Sequence, residues 1–355
     1  MDTPSGVQRY FGGTDYLGLS RNKRFRSLML QGIQRFGVHM GSSRQSNVRL
    51  SIYLKAEKIL SDLAGSQAAS LTSSGMLAGQ WVSQYFNTEQ YIHFYAPYVH
   101  SALITRADQP RYTDWTSLIN DLNDVISQNP QQTPVLFLDT IDFHGLGYPH
   151  YALLQGLPLS QIILVADDAH GIGITGQQGG GSYAALAALN PKELIVTASL
   201  GKSLGLGAGA VWTSQAQMDA LRQHPLWGGA SPCSPGYANV LLKAKRIYRA
   251  QLKKLVRHVA WMEKHWPAGC PKRQHPGHPA FECDTPGVGA HLRTHRIIPT
   301  EFPYPTPQSP LLTRMVVTAA HRKKDLKAKK MLLGTAIIIF AFRAMPGVGQ
   351  GGGPV

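Results

Sequence analysis

The chain has 355 residues and a mass of 38.8 kDa, enough for two domains. With 43% hydrophobic and 15% charged residues it can bury a sizeable core, which excludes disorder throughout. Three cysteines, Cys233, Cys270 and Cys283, are too few for a disulfide scaffold.

The net charge of +15 divides unevenly: residues 1–242 carry 15 Lys+Arg against 15 Asp+Glu, and residues 243–355 carry 20 against 5. Much of the excess lies on a predicted helix at 241–265 and in the run 321–330, where a solvated face is the first reading and attraction of a phosphorylated small molecule the alternative. No aromatic interleaving accompanies these charges, so no nucleic-acid partner is expected. No charged start followed by an apolar run reads as a secretory signal. The longest apolar run, 331–342, falls short of the roughly 20 residues a spanning helix needs. No membrane association is therefore expected, and the cytoplasm is the default compartment.

Residues 22–40 and 49–65 read as helices, the second with Ile52, Leu54, Ile59, Leu60 and Leu63 near helical spacing. Short apolar runs follow at 69–71, 91–94, 135–138, 162–166, 194–198 and 209–212, with helical stretches between them such as 115–127 and 182–189. This alternation predicts an α/β fold, a mostly parallel sheet with helices on both faces. In such sheets ligands collect at the carboxyl ends of the strands. Residues 266–292 hold five Pro, four Gly and three His, with only Val288 and Leu292 as aliphatics beyond Ala, so they read as irregular. The pattern resumes at 296–298 and 314–320, and the Gly- and Pro-rich last ten residues read as disordered. The expected division is an N-terminal segment 1–40, a large domain 41–240, a smaller, degraded α+β domain 241–330 and a tail 331–355.

Three motifs fall at predicted strand ends. Leu71-Thr72-Ser73-Ser74-Gly75-Met76 ends a strand and opens a helix, where backbone N–H groups can hold a phosphate. A plain helix cap is the bland alternative. The run 162–166 leads into Asp167-Asp168-Ala169-His170, and two carboxylates at the end of an apolar strand are costly unless paired. One of them can keep a pyridinium nitrogen protonated, with His170 reaching a substituent of the same ring; a capping Asp in a loop is the alternative. Ser199-Leu200-Gly201-Lys202 puts one lysine in a Gly/Ser-rich turn after another strand, as a Schiff-base lysine requires. A surface lysine is the alternative.

Two patterns mislead. Gly171-Ile172-Gly173-Ile174-Thr175-Gly176 matches a dinucleotide fingerprint, but Asp-Asp-Ala-His separates it from the strand. Cys270, His275, His278 and Cys283 have no standard zinc spacing, so no metal is expected.

In this order the motifs resemble the PLP-dependent α-oxoamine synthases, fold-type I enzymes that use pyridoxal 5′-phosphate (PLP). Asp15-Tyr16-Leu17-Gly18-Leu19-Ser20, Gly41-Ser42-Ser43-Arg44, His100-Ser101-Ala102-Leu103-Ile104 and Thr318-Ala319-Ala320-His321 add to the match. The resemblance implies an acyltransferase that condenses an amino acid with an acyl-CoA and releases CoA and carbon dioxide. It implies Lys202 as the PLP lysine, Asp167 on the ring nitrogen, His170 on the phenolic oxygen and His100 on the ring face. It places Ser74, the Gly75 and Met76 amides and the Ser199 hydroxyl around the phosphate. It further implies a homodimer with shared active sites, in which Ser231 reaches the phosphate of the partner subunit. Three positions depart from the family: Thr14 where Asn is usual, Asp142 where Ser is usual, and Pro303 in place of a substrate-carboxylate arginine, for which Arg296 is the candidate substitute, since Arg314 matches a different family arginine of the small domain. Another PLP reaction on the same fold, such as transamination or lysis, and an inactive relative stay open.

Overall fold

Stretches of four to seven apolar residues between turn formers are too short for core helices and settle as strands. The computed structural model describes residues 2–328, apart from 4–5, 107, 109–111, 129–130, 142–147, 149, 269, 284, 286 and 304–310. Asp142 and the tail 331–355 lie outside the described residues. The chain divides into two units, Thr14–Val256 and Met1–Gly13 with the chain from Arg257 onward.

Three short strands open the chain, β1 (Asp2–Thr3), β2 (Gly6–Val7) and β3 (Arg9–Phe11). The large unit begins with α1 (Lys23–Phe36) and α2 (Ser51–Ala64). Then come β4 (Ala68–Thr72), α3 (Gly75–Tyr85), β5 (Tyr91–Tyr95), α4 (Trp115–Gln128), β6 (Thr133–Asp139), β7 (Ile163–Asp167), α5 (Tyr183–Ala187) and β8 (Glu193–Ser199). It closes with β9 (Gly209–Thr213), α6 (Gln215–Leu221), α7 (Pro225–Gly229), α8 (Pro235–Lys243) and the start of α9 (Lys245–Lys264). The helix expected at 241–265 is thus two helices that break at Ala244.

The six strands of this unit run in the order β4-β9-β8-β7-β6-β5, all parallel except β9, which pairs antiparallel with β4 and β8. Val135, Phe137, Ile163, Val165, Ile195 and Val211 take alternate positions and share one core cluster with Ala78, Trp81 and Val82 of α3 and Met218 and Leu221 of α6. Residues 14–40 belong here and not to a separate segment, because α1 lies against α8. A methyl group on Gly32 would fall 2.5 Å from the carbonyl oxygen of Gly236.

The small unit holds β10 (Lys272–Arg273), β11 (Ala280–Cys283), α10 (Val288–Thr294), β12 (Ile297–Pro303) and β13 (Leu311–Val316), in a sheet of order β10-β11-β13-β12-β3. This corrects the irregular reading of 266–292. The segment has few aliphatics, yet it buries Phe281, Val288 and Leu292 along with His278 and Glu282, and Trp266 stacks on Phe281 at 5.2 Å. Arg314 holds Glu282 Oε1, with Nη2 and Nε donating to it at 2.6 and 3.1 Å.

The late Thr318-Ala319-Ala320-His321 signature holds the N-terminal strand. His321 Nδ1 accepts from the Thr318 N–H at 2.9 Å, so its Nε2 donates to the Tyr10 carbonyl at 2.9 Å. Its ring stacks on the buried Phe11 at 4.1 Å. Phe11→Ala is expected to cost about 3–5 kcal/mol. Urea unfolding followed by amide exchange in β12 checks this, and loss of protection should centre on the β3–β12 pair.

Candidate active site

The strand ends converge by register. Asp139 stands opposite Asp167, Asp167 opposite Thr197, Ser199 opposite Gly209, and Gly209 opposite Thr72. Neighbouring strands lie about 4.8 Å apart, so these pairings set three distant motifs side by side at one edge of the sheet.

The turn after β4 and the lysine turn after β8 touch. A methyl group on Gly75 would lie 2.6 Å from Cβ of Ser199, so only glycine lets the helix start approach that strand end. Ser74 caps α3 by accepting from the Leu77 N–H at 3.1 Å. The amides of Gly75 and Met76 belong to the first turn, where no helical carbonyl meets them. The turn also has a rigid floor. Arg44 grips Glu57 with two hydrogen bonds at 2.5 and 3.0 Å, and Glu57 accepts the Leu71 N–H at 2.8 Å. Both side chains are buried.

The two adjacent aspartates separate in role because successive strand residues point to opposite faces. Asp168 turns into the protein, 1% exposed, and accepts from the Thr140 hydroxyl at 2.5 Å and from the Ser182 hydroxyl and N–H, each at 2.9 Å. Burial pushes its carboxyl up to about 6, against the pull of these donors. Asp167, 9% exposed, has Oδ1 fixed by the Ala169 N–H at 2.7 Å. Gly171, the first glycine of the dinucleotide-like run, and Gly181 beyond it wrap the Asp168 carboxylate instead: a methyl group on Gly171 would meet Asp168 Oδ1, and one on Gly181 would meet Oδ2. Gly173 packs on Ser203, next to Lys202, where a methyl group on the glycine would lie 2.7 Å from the serine Cβ.

His170 is oriented by Tyr16, with Oη and Nδ1 hydrogen-bonded at 2.7 Å. This gives the Asp15-Tyr16 motif a physical meaning, since Asp15 caps the following turn through the Leu19 N–H at 2.8 Å. His100 hangs from the β6 end by its N–H on Asp139 Oδ1 at 3.2 Å, and its Nδ1 accepts from the Ala102 N–H at 3.2 Å. Ser231 is exposed and lines a small gap with Arg44 and Thr72. Every predicted site residue therefore lies in the large unit, whereas Arg296, Pro303 and Arg314 lie in the small one. Tyr16, Glu57, Thr140 and Ser182 were not singled out from the sequence; only Tyr16 carried a signal, its place in the first motif.

The sequence profile of the aminotransferase class I and II family matches residues 91–281, over half of the chain. The chain belongs to the aminotransferase class I and II family. Within that family it is 28% identical over 341 residues to the 8-amino-7-oxononanoate synthase of Yersinia pseudotuberculosis serotype O:1b, covering 91% of this chain and 88% of the relative. Among solved structures, serine palmitoyltransferase from Sphingomonas wittichii superposes with a TM-score of 0.78 at 15% identity, covering 94% of this chain and 88% of the other. A serine palmitoyltransferase solved with PLP matches with a TM-score of 0.77 at 16% identity over 94% and 88% of the two chains. The fold of this aminotransferase-family chain is therefore fold-type I. Among the described residues no helix is long and apolar enough to cross a membrane.

Two buried groups of the large unit titrate in opposite senses. The folded state holds the Asp168 proton more tightly than the unfolded chain does, so its contribution is complete below pH 3.8 and is lost as pH rises to about 6. Burial holds His93 down to about 4, so its contribution is present above pH 6.5 and is lost as pH falls towards 4. Asp168→Asn removes the first slope only. The variant should gain on the parent between pH 4 and 6 by about 3 kcal/mol, read from denaturation midpoints across that range.

Proposed function

We propose that this chain is a PLP-dependent acyltransferase that condenses an amino acid with an acyl-CoA thioester to give an α-oxoamine. The observation that carries this reading is the contact of the Gly75 turn with Ser199, with Lys202 three residues beyond and Asp167 on the adjacent strand. The donor set fits PLP. A helix start with uncommitted amides and a serine hydroxyl suits the phosphate, a largely buried carboxylate suits the ring nitrogen, and a partly exposed lysine suits the aldehyde carbon. The relatives, named for 8-amino-7-oxononanoate synthesis and serine palmitoyl transfer, support the reaction class.

Bound here, PLP supplies a sink for the electrons left behind when a bond at an amino acid's α-carbon breaks. The residues of the chain do the rest. Gly75, Met76 and Ser199, with Ser74 as the cap, hold the phosphate. Asp167 keeps the proton on the ring nitrogen. His170, steadied by Tyr16, donates to the phenolic oxygen. His100 covers one face of the ring and keeps water from it. Lys202 Nζ binds the cofactor and then moves the proton at the substrate α-carbon. We propose further that the enzyme is a cytoplasmic homodimer in which Ser231 serves the partner's phosphate. The 49% exposure of Met76, the second residue of the site helix, supports a covering subunit.

Adding PLP should give a visible absorbance band that Lys202→Ala lacks, and borohydride followed by peptide mass analysis should place the cofactor on Lys202. Asp167→Asn should keep PLP but slow thiol release from acyl-CoA at least a hundredfold, because an amide cannot hold the ring nitrogen protonated. A screen of acyl-CoAs against amino acids by thiol release tests the reaction itself. PLP binding without CoA release for any pair would overturn the acyltransferase reading.

Tyr16→Phe should bind PLP and shift the pH optimum of turnover, since His170 loses the partner that sets its proton. An unchanged pH profile would assign Tyr16 to packing alone.

A further inference from the structure

Outside the site, two thiols of the small unit stand together. Sγ of Cys270 and Sγ of Cys283 are 3.0 Å apart, with the residues 6% and 3% exposed. We propose that Cys270 and Cys283 form an oxidation site, a dithiol that closes to a disulfide by exchange with a small-molecule disulfide such as oxidised glutathione. The sulfurs need to approach by only about 1 Å to reach the S–S bond length of about 2.05 Å.

The backbone prepares this geometry. Cys283 ends β11 opposite Lys272 of β10, and Cys270 precedes Lys272 by two residues. Trp266 Nε1 donates to the Cys270 carbonyl at 3.0 Å, and the Cys270 N–H donates to the Pro267 carbonyl at 3.2 Å. His278, the buried member of the same Cys/His cluster, accepts from the Ala280 N–H through Nδ1. Among the described residues no group of three or more such side chains converges as a metal would require. The pair is therefore arranged as a dithiol.

The edge of the sheet gives access. β10 is the outermost strand, only two residues long, and both are exposed. Such an edge opens more readily than the strands behind it. The Cys270 thiolate then attacks one sulfur of the glutathione disulfide and releases one glutathione thiolate. The Cys283 thiolate attacks Cys270 Sγ in the mixed disulfide and releases the second. Two protein thiols and one glutathione disulfide give one protein disulfide and two glutathione thiols, with the two thiol protons passing to the leaving thiolates. The hydrogen bond between the two thiols, and their burial, hold Cys270 well above the usual thiol range, so the exchange is slow. The bond closes a short ring around β10 and ties it to β11, whose Glu282 already pairs with Arg314 and, at 3.7 Å, with Arg273.

The test uses the full-length chain, folded, with oxidised glutathione and a denaturing alkylation at the end. Alkylatable thiols should fall from three to one, the leftover being Cys233. The mass before alkylation should drop by about 2 Da, and peptide mapping should join Cys270 to Cys283. Amide exchange at 271–283 should slow by about tenfold or more in the oxidised form. Cys270→Ser should show no 2 Da loss, at most a glutathione adduct on Cys283. Three alkylatable thiols after prolonged oxidation, a bond to Cys233 or to a second chain, or a bond that forms only in denaturant would each overturn the proposal. None of these readouts depends on PLP.

Discussion

The buried carboxylate of Asp168 organises the centre of the large unit. It stands where a strand gives way to a loop, and among the described residues it is held by two hydroxyls and one backbone N–H, with no cation as a hydrogen-bonding partner. Three donors on one carboxylate tie together the end of β6, the end of β7 and the start of α5. The loop from Gly171 to Gly181 must curl tightly enough to bring Ser182 back to it, and close backbone approach of that kind excludes side chains. With Asp168 committed inward, strand alternation leaves Asp167 on the side where Ser199 and the Gly75 turn gather. One residue does structural duty, and its neighbour is left on the side of the Gly75 turn.

A second buried charge supports the site from below, and it is paired. Arg44 and Glu57 bond in fork geometry, and the guanidinium also lies over the rings of Tyr53 and Trp227 at 4.9 and 5.2 Å. An ion pair so enclosed adds little net stability against an apolar substitute, but loss of one partner strands the other charge. Its value lies in position. Glu57 holds the Leu71 N–H, one residue before the turn that leads to Ser74 and Gly75, so the helix start is fixed from α2, outside the turn itself.

The placement of the candidate site residues was legible in the sequence because they fall at strand ends. Asp167, His170, Ser199 and Lys202 announce themselves by sitting where an apolar run stops, and strand periodicity is local. Thr140 and Ser182 gave no such signal, because an ordinary hydroxyl becomes a carboxylate partner only through contacts 28 and 14 residues away. The same holds for β3: three residues cannot show a period, and their partner, β12, lies nearly 290 residues further on. Residues 266–292 misled for a different reason. Their core is built from Cys, His, Phe and a paired Glu, which a count of aliphatics does not register.

The antiparallel course of β9 has a consequence for how the lysine is carried. Between β8 and β9 the chain makes a closed hairpin, with the Leu200 N–H on the Ala208 carbonyl at 2.9 Å and the Leu206 N–H on the Leu200 carbonyl at 3.1 Å. Both legs of the loop are anchored in the middle of a sheet, so its length is set by the distance between two neighbouring strands. Most surface loops absorb an extra residue by bulging into solvent. This one is held at both ends, so one residue more or fewer would move Lys202 relative to the strand ends while leaving the sheet intact. The hairpin thus acts as a ruler, and the reach of the amine is measured from the sheet, not from the flexibility of its own side chain.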